Sequence, residues 1–249
     1  LLGLIVIIRP VNGLVLLALP VVIGDQTLPA LKRLFTQPLW LALAVLAGAA
    51  VVSIQPMLWH AQTGNWYAYG YTGEGFHWDR PEVLKVLFGF RRGLFLWAPV
   101  LMLAVIGSAW LVAKDRLRGT AMAIYLAANI YVISAWWIWY YGSGFGSRVF
   151  IDHYPVLALP MAFVLHAIRG AWRITSRAFI ALCCALLLFQ MWQYSAGILH
   201  PESMDRAKYA YTFLRWDDSY RYSLGGNYQG PPFHPKGMSV VLEESCDFE

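Results

Sequence analysis

Apolar residues run through this chain in long stretches that contain no charged side chain. Five stretches lack Lys, Arg, Asp and Glu altogether: 34–73, 93–113, 119–147, 153–168 and 178–201. Crossing the hydrocarbon core of a bilayer takes about 20 mostly apolar residues in a helix. Four of the stretches reach that length and 153–168 is marginal, so the pattern predicts a polytopic membrane protein.

The apolar runs and their flanks predict an all-α polytopic membrane fold of six to seven transmembrane or re-entrant helices. The predicted spans are 1–8, 10–24, 38–57, 94–113, 119–140, 155–168 and 178–198. The run 10–24 is short, roughly 22 Å of helix, and Pro10 favours a new helix start there, so a re-entrant hairpin is one interpretation of it. Because the chain opens inside an apolar run without an initiator Met, we expect it to be the later part of a longer protein.

The last fifty residues differ in composition from the rest. They are polar, rich in Tyr and interrupted by Gly and Pro. The sequence therefore predicts a transmembrane domain over 1–198 and a small extramembrane tail over 199–249, with a short helix near 202–215 and a strand-like end at Ser239–Leu242.

Charge gives an orientation to this topology. The short loops 25–37, 114–118 and 169–177 together hold eight basic and two acidic residues, although the whole chain has only 13% charged residues and a formal charge of +5. Since basic residues favour cytoplasmic loops, the long segments 58–93, 141–154 and 199–249 are predicted to be extracytoplasmic. A bacterial inner membrane with the C-terminus outside fits this pattern. No basic cluster is dense enough to indicate a nucleic-acid partner.

Metal and thiol chemistry has little support in the sequence. Cys183 and Cys184 lie in an apolar run, Cys246 lies near the end, and His60, His77 and His153 lack the spacing of metal ligands. Asp217-Asp218 resembles a divalent-metal motif only if further ligands join it. We therefore assign no metal residue and no cofactor, while the chemistry leaves room for a divalent ion.

The first long loop interleaves aromatic and ionisable residues. Aromatic faces stack on sugar rings and carboxylates or imidazoles bind hydroxyls, so Trp66, Glu74, His77 and Asp79 are candidates for a carbohydrate or headgroup pocket. A plain interfacial aromatic belt is the alternative for the aromatic residues, and solvated surface is the alternative for the carboxylates.

Three arginines form a different kind of candidate. Arg91 and Arg92 precede an apolar span on the predicted outer side, where two guanidiniums suit a phosphate, although snorkelling to lipid headgroups explains them too. Arg148 follows a Gly-rich turn and lies four residues before Asp152, so it either serves a charged site or forms a local ion pair. Because both loops open on one face, we expect Arg148 to converge with Arg91 or Arg92. The remaining pocket candidates are Arg9, Asn12, Tyr141, Asp152 and His153.

Several short motifs resemble a known family. These are Arg9-Pro10-x-Asn12, Arg92-Gly93-Leu94 followed by Trp97-Ala98-Pro99 and Gly107, and Gly144-Phe145-Gly146-x-Arg148 with Pro155 and Pro160. Over about residues 1–170 they are similar to the C-terminal half of polyprenyl-phosphate-dependent membrane glycosyltransferases of the GT-C superfamily, in the protein-mannosyltransferase-like, family 39-like group.

The resemblance implies transfer of a sugar from an isoprenoid-phosphate carrier to an acceptor glycan, lipid or protein at the outer face. It implies donor-phosphate binding by Arg92 and Arg148, and Arg91 is a further donor-phosphate candidate because it adjoins Arg92. The family's carboxylate base lies in an earlier loop, upstream of Leu1, so the catalytic residue stays unknown. A transporter or lipid flippase, and a non-catalytic membrane scaffold, are the competing interpretations.

Overall fold

The computed structural model describes residues 2–68, 70 and 73–224. The secondary-structure elements in this part of the chain are all helices. In the same described residues, an isolated antiparallel β-bridge joins Phe76 to Trp136. We number the helical segments α1 Leu2–Ile8, α2 Pro10–Thr36, α3 Pro38–Thr63, α4 Val83–Phe88, α5 Leu94–Trp97, α6 Pro99–Lys114, α7 Arg116–Ser134, α8 Arg148–Ala167, α9 Ala171–Ser195 and α10 Arg206–Thr212.

Five of these helices have the length and apolar character needed to cross a membrane. They are α2, α3, α7, α8 and α9, and α6 is a shorter apolar helix. The chain is therefore an all-α integral membrane protein, as its charge-free stretches predict. The predicted strand-like end at Ser239–Leu242 and the position of Cys246 lie outside the described residues.

Several boundaries differ from the prediction, and three of these differences have a local reason. The stretch 10–24 starts as a 3-10 helix over Pro10–Ala18, and after Gly24, whose φ is +61°, the apolar helical run continues to Thr36. The predicted span 94–113 is divided in two at Ala98, since Pro99 cannot donate a backbone hydrogen bond and restricts the residue before it. The tail helix is shorter than predicted and covers only Arg206–Thr212.

The residues group into two compact units. The first contains residues up to 81, 104–137 and 152–164. Within it α1 packs on α3 where Gly3 meets the Gly48 carbonyl and Val51, and the backbone of Gly107 in α6 lies against the carbonyl of Pro160 in α8. Two helix backbones can approach this closely only where the residue at the contact is a glycine, which has no side chain.

The second unit contains residues 82–103, 138–151 and 165 to the end of the described chain. Its core consists of Trp97, Leu199, Met204 and Leu224, against which Phe145, Tyr194 and Tyr209 pack. Gln193, buried near the end of α9, donates to the carbonyls of Thr212 and Arg215, and Gln190 donates to the Tyr209 hydroxyl. These bonds attach the segment after α9 to the rest of this unit.

Candidate functional site

The arginine pair lies on a compact turn in the second unit, between α4 and α5. The turn is closed by a hydrogen bond from the Gly93 amide to the Gly89 carbonyl at 2.6 Å. A Cβ on Gly93 would meet Gly89 and Phe88 backbone atoms at 2.5–2.6 Å, so the turn requires glycine at that position. The local sequence thus holds Arg91 and Arg92 at the start of an apolar segment.

Arg92 is a buried cation with an unused donor. Its side chain is only 3% exposed, Nη2 donates to the carbonyl of Pro201 at 2.6 Å, and Nη1 has no hydrogen-bond partner among the described residues. Burial, with the nearby charges of Arg148 and Arg91, lowers the pKa of Arg92 to about 10, against the opposing effect of Tyr194 and Glu202. The guanidinium therefore stays charged at neutral pH, and a buried charge of this kind requires an anion to compensate it.

Arg148 lies beside Arg92 because of the Gly-rich loop 142–146. Gly144 has φ +150°, and a Cβ placed on it would stand 3.0 Å from Arg92 Nη1 and 3.6 Å from Arg148 Nη1. Both guanidiniums thus reach the same small space, which confirms the predicted convergence of Arg148 with the arginine pair. Arg148 is itself exposed, and its Nη2 donates to the Tyr141 carbonyl at 2.7 Å.

Arg91 completes what we call the arginine cluster, Arg91, Arg92 and Arg148. Its Nε donates to the Glu202 carbonyl at 2.6 Å, and its guanidinium carbon lies 3.3 Å from the centre of the Tyr140 ring. Stacking on an aromatic face leaves the edge of a guanidinium free to bind other groups.

A tight turn after α9, residues 200–203, forms the other side of the cluster. The Gly144 amide also donates to the Pro201 carbonyl, at 3.0 Å, so this oxygen accepts from two elements. Ser143 Oγ lies 3.4 Å from Glu202 Oε2. Among the described residues, Glu202 is the carboxylate that acts on the charge of Arg92, so positive charge dominates this part of the site.

A second polar group lies in the first unit and unites three other predicted residues. Asp152 Oδ2 accepts from Arg9 Nη1 at 2.9 Å and from Asn12 Nδ2 at 3.1 Å, and both partners of the ion pair are largely exposed. The local Arg148–Asp152 pair considered from the sequence is therefore replaced by one between Asp152 and Arg9. His153 follows Asp152 and is buried, with Nδ1 2.8 Å from the Tyr125 hydroxyl.

The candidates in the first loop differ in how far the structure exposes them. Trp66 is exposed and stacks on His60 with the ring centres 4.2 Å apart. His77 is exposed and its backbone amide donates to Ala135, Asp79 is exposed, and Glu74 is half-buried. Their roles in a substrate pocket stay predictions.

The described part of the chain has no group of three His, Cys, Asp or Glu side chains placed to hold an ion. Asp217 accepts from the Ser219 amide, which lowers its pKa, and Asp218 pairs with Arg221. The Asp217-Asp218 dipeptide thus has local partners, and the donor set gathered by the described residues does not fit a bound divalent ion.

Sequence reasoning missed Pro201, Glu202 and His200 as parts of the site. Two of them act on the arginines through backbone carbonyls, which any residue possesses and which leave no mark in a sequence. The nearest available signal was the end of the charge-free stretch 178–201 at Glu202.

No protein-family model, curated protein or solved structure matches this chain.

Proposed function

We propose that this integral membrane protein is a glycosyltransferase, or the carrier-binding part of one, which transfers a sugar from an isoprenoid-phosphate donor to a glycan, lipid or protein acceptor. The observation that supports this most directly is the buried Nη1 of Arg92, which lies beside Arg148 and has no hydrogen-bond partner among the described residues. Two guanidinium nitrogens directed at one space are the arrangement that binds a phosphate oxygen most strongly.

The charge of the arginine cluster also suits the chemistry of such a transfer. A phosphate that links an isoprenoid to a sugar carries one negative charge, and the isoprenyl phosphate that leaves carries close to two. A site with three guanidiniums and one nearby carboxylate therefore stabilises the departing phosphate more than the bound donor. Stabilisation that grows as the bond breaks accelerates the chemical step.

A transporter or lipid flippase is the second candidate, and one observation in the first unit favours it. The buried Asn129 in α7 has an Oδ1 atom without a partner among the described residues, and Tyr125 on the same helix contacts His153. Buried polar groups within membrane-spanning helices commonly mark a transport path. A transporter would bind an isoprenyl phosphate and move it without releasing sugar.

The decisive experiment is an assay of the full-length protein with a radiolabelled isoprenoid-phosphate sugar in detergent or liposomes. Transfer of label to an acceptor, lost in Arg92→Lys and retained in Arg80→Lys, supports the transferase. Arg80 is a suitable control because it is exposed in the first long loop. Transbilayer movement of the lipid without label transfer would support the flippase and overturn the transferase.

We also propose that the protein lies in a bacterial inner membrane with its C-terminus outside. The basic residues concentrated in the short segments 25–37, 114–118 and 169–177 support this orientation. In a Cys183→Ala, Cys184→Ala background, an impermeant maleimide should label Cys246 in intact cells whose outer membrane has been made permeable. Labelling only after the inner membrane is opened would reverse the assigned orientation.

A further inference from the structure

The imidazole of His200 stabilises the turn 200–203 through hydrogen bonds to the backbone. Its Nδ1 accepts two backbone hydrogen bonds, from the Glu202 amide at 3.1 Å and from the Ser203 amide at 2.8 Å. His200 is only 7% exposed, so these amides are bonded by the ring in a place that water scarcely reaches. Side-chain acceptors that bind amides two and three residues ahead impose a tight turn on the backbone.

The same turn presents two consecutive carbonyls to the arginine cluster. The Pro201 oxygen accepts from Arg92 Nη2 and the Glu202 oxygen accepts from Arg91 Nε, each at 2.6 Å. Bonds of this length between a cation and a carbonyl fix the plane of each guanidinium. Nη2 of Arg92 is held by Pro201, whereas Nη1 has no partner within the described part of the chain and is available to a ligand.

The turn also secures the loop that brings Arg148 to the site. The Gly144 amide donates to the Pro201 carbonyl, and Gly144 lies against both Arg92 and Arg148. The His200 imidazole therefore orients the backbone segment whose carbonyls accept hydrogen bonds from Arg91, Arg92 and the Gly144 amide.

We propose that His200 is the positioning residue of the anion site, and that it acts through the turn to hold the arginine cluster ready for a phosphate group. The proposal rests on the proposed function for the identity of the ligand. It adds a residue that touches neither the anion nor the reacting atoms. A cluster whose guanidiniums are oriented in advance binds an anion without the entropy cost of ordering three long side chains.

The protonation state of His200 agrees with this role. An Nδ1 that accepts two amide hydrogens carries no proton, so the ring is the neutral tautomer protonated on Nε2. Burial, followed by the charges of Lys208 and Arg91 and against that of Glu202, lowers the pKa of His200 to about 4. The acceptor is thus maintained throughout the neutral range.

The test compares His200→Ala with His200→Asn in the full chain purified in detergent. The Asn amide oxygen can accept from amides two and three residues ahead, as Nδ1 does, whereas Ala cannot. His60→Ala is the matched control, since His60 is exposed. Binding of farnesyl phosphate is measured, with farnesol as the uncharged comparison, together with amide hydrogen exchange at Gly144, Glu202 and Ser203.

We expect His200→Ala to weaken farnesyl phosphate binding by about tenfold or more, since a lost or loosened charge-assisted contact has effects of this size. His200→Asn should recover most of the affinity, and His60→Ala should match the native chain. Exchange at Gly144 should accelerate in His200→Ala. A role confined to the turn itself would accelerate exchange at Glu202 and Ser203 alone, with affinity unchanged, and would overturn the proposal.

The experiment gives a different result if the proposed function is wrong. If the native chain binds farnesyl phosphate no better than farnesol, the phosphate ligand is wrong, and exchange at Gly144 still decides whether His200 positions the loop. If His200→Ala does not fold, His200→Asn with native exchange and native affinity supports the proposal. A folded His200→Asn that binds the phosphate tenfold more weakly while its turn amides stay protected contradicts it.

Discussion

The Arg92 guanidinium donates to the carbonyl of Pro201 at 2.6 Å across a separation of 109 residues. The bond joins the turn before α5 to the segment after α9, and both belong to the second unit. A segment that composition alone suggests is a separate tail therefore supplies part of the site. Residues 200–203 therefore belong to the same site as Arg91 and Arg92, whose geometry they fix.

Gly144→Ala should weaken anion binding while leaving membrane insertion intact. The new Cβ would stand 3.0 Å from Arg92 Nη1 and 3.4 Å from Arg148 Cδ, in a backbone conformation with φ +150° that L side chains rarely adopt. We expect affinity for farnesyl phosphate to fall by about tenfold, because conformational strain of this kind costs of order 1–3 kcal/mol.

Gly142→Ala provides the matched comparison for that change. Gly142 also has a positive φ, +68°, yet a Cβ placed there meets nothing within 4 Å among the described residues. Its variant should carry the milder strain of the left-handed region, without contact to the arginines, and keep most of the affinity. Equal losses in the two variants, measured by titration calorimetry, would show that strain in the loop matters and contact with the arginines does not.

Arg148→Lys should lose most transfer activity in the full-length enzyme. Lysine keeps the charge but cannot donate to the Tyr141 carbonyl and to a phosphate through one planar group, as a guanidinium does. Loss of one aligned contact to the developing phosphate charge is expected to cost roughly 2–4 kcal/mol, or about 30- to 1000-fold in rate. Turnover within a few-fold of the native enzyme would assign Arg148 a surface role, since exposed charge pairs contribute little.

The membrane helices are predictable because hydrophobicity is a local property of the sequence. Runs without charge locate α3, α7 and α9 well, yet α7 ends at Ser134 although the apolar run continues past it. There the amide of Trp137 donates to Gly75 and the Ala135 carbonyl accepts from His77, so a loop distant in sequence terminates the helix. A hydropathy profile does not detect a contact between residues that are distant in sequence.

In the candidate site, too, features of the local sequence were predictable and contacts between distant residues were not. Guanidiniums next to glycines are visible as motifs, so the three arginines of the cluster and their convergence were foreseeable. The partner of Asp152 was not, because Arg148 four residues away and Arg9 far along the chain are equally sound partners on charge alone. Pro201 and Glu202 act through their carbonyls, and only the folded backbone shows where a carbonyl points.

Gln193→Leu should detach the segment that carries the turn 200–203. Gln193 is 1% exposed and its Nε2 donates to the Thr212 and Arg215 carbonyls at 2.8 and 2.7 Å. Leucine leaves both carbonyls without this donor, which should lower the free energy of unfolding by about 2–3 kcal/mol. Trypsin should then cleave sooner at Arg206, Lys208 and Arg215, as followed by mass spectrometry.

Gln190→Leu separates loss of that donor from loss of a buried amide in general. Gln190 donates to the Tyr209 hydroxyl, but its Oε1 has no partner among the described residues, so leucine removes an unsatisfied acceptor along with one bond. We expect a clearly smaller loss of stability and little change in proteolysis. Equal sensitivity to trypsin in both variants would contradict the anchoring role of Gln193.

Acid should loosen the turn 200–203 through His200. Because the pKa of His200 falls from its ordinary 6.5 to about 4 in the folded chain, its neutral form favours folding. The stability this contributes is complete above about pH 6.5 and is lost progressively as the pH falls to about 4, by up to about 3 kcal/mol for a shift of this size. Lys208, Glu202 and Arg91 are the charged groups that act on the ring.

The comparison of native chain with His200→Asn isolates this effect, since Asn does not titrate and Glu202, Lys208 and Arg91 are common to both proteins. The difference between their free energies of unfolding, measured in detergent from pH 7 to pH 4, should change in favour of His200→Asn as the pH falls. Stability and Gly144 amide exchange are the right readouts, because a phosphate ligand takes up its own proton near pH 6 and would confuse a binding curve. A difference that stays constant over this range would mean that the His200 ring carries the same charge in the folded and unfolded chains, and the turn would then not depend on a neutral imidazole.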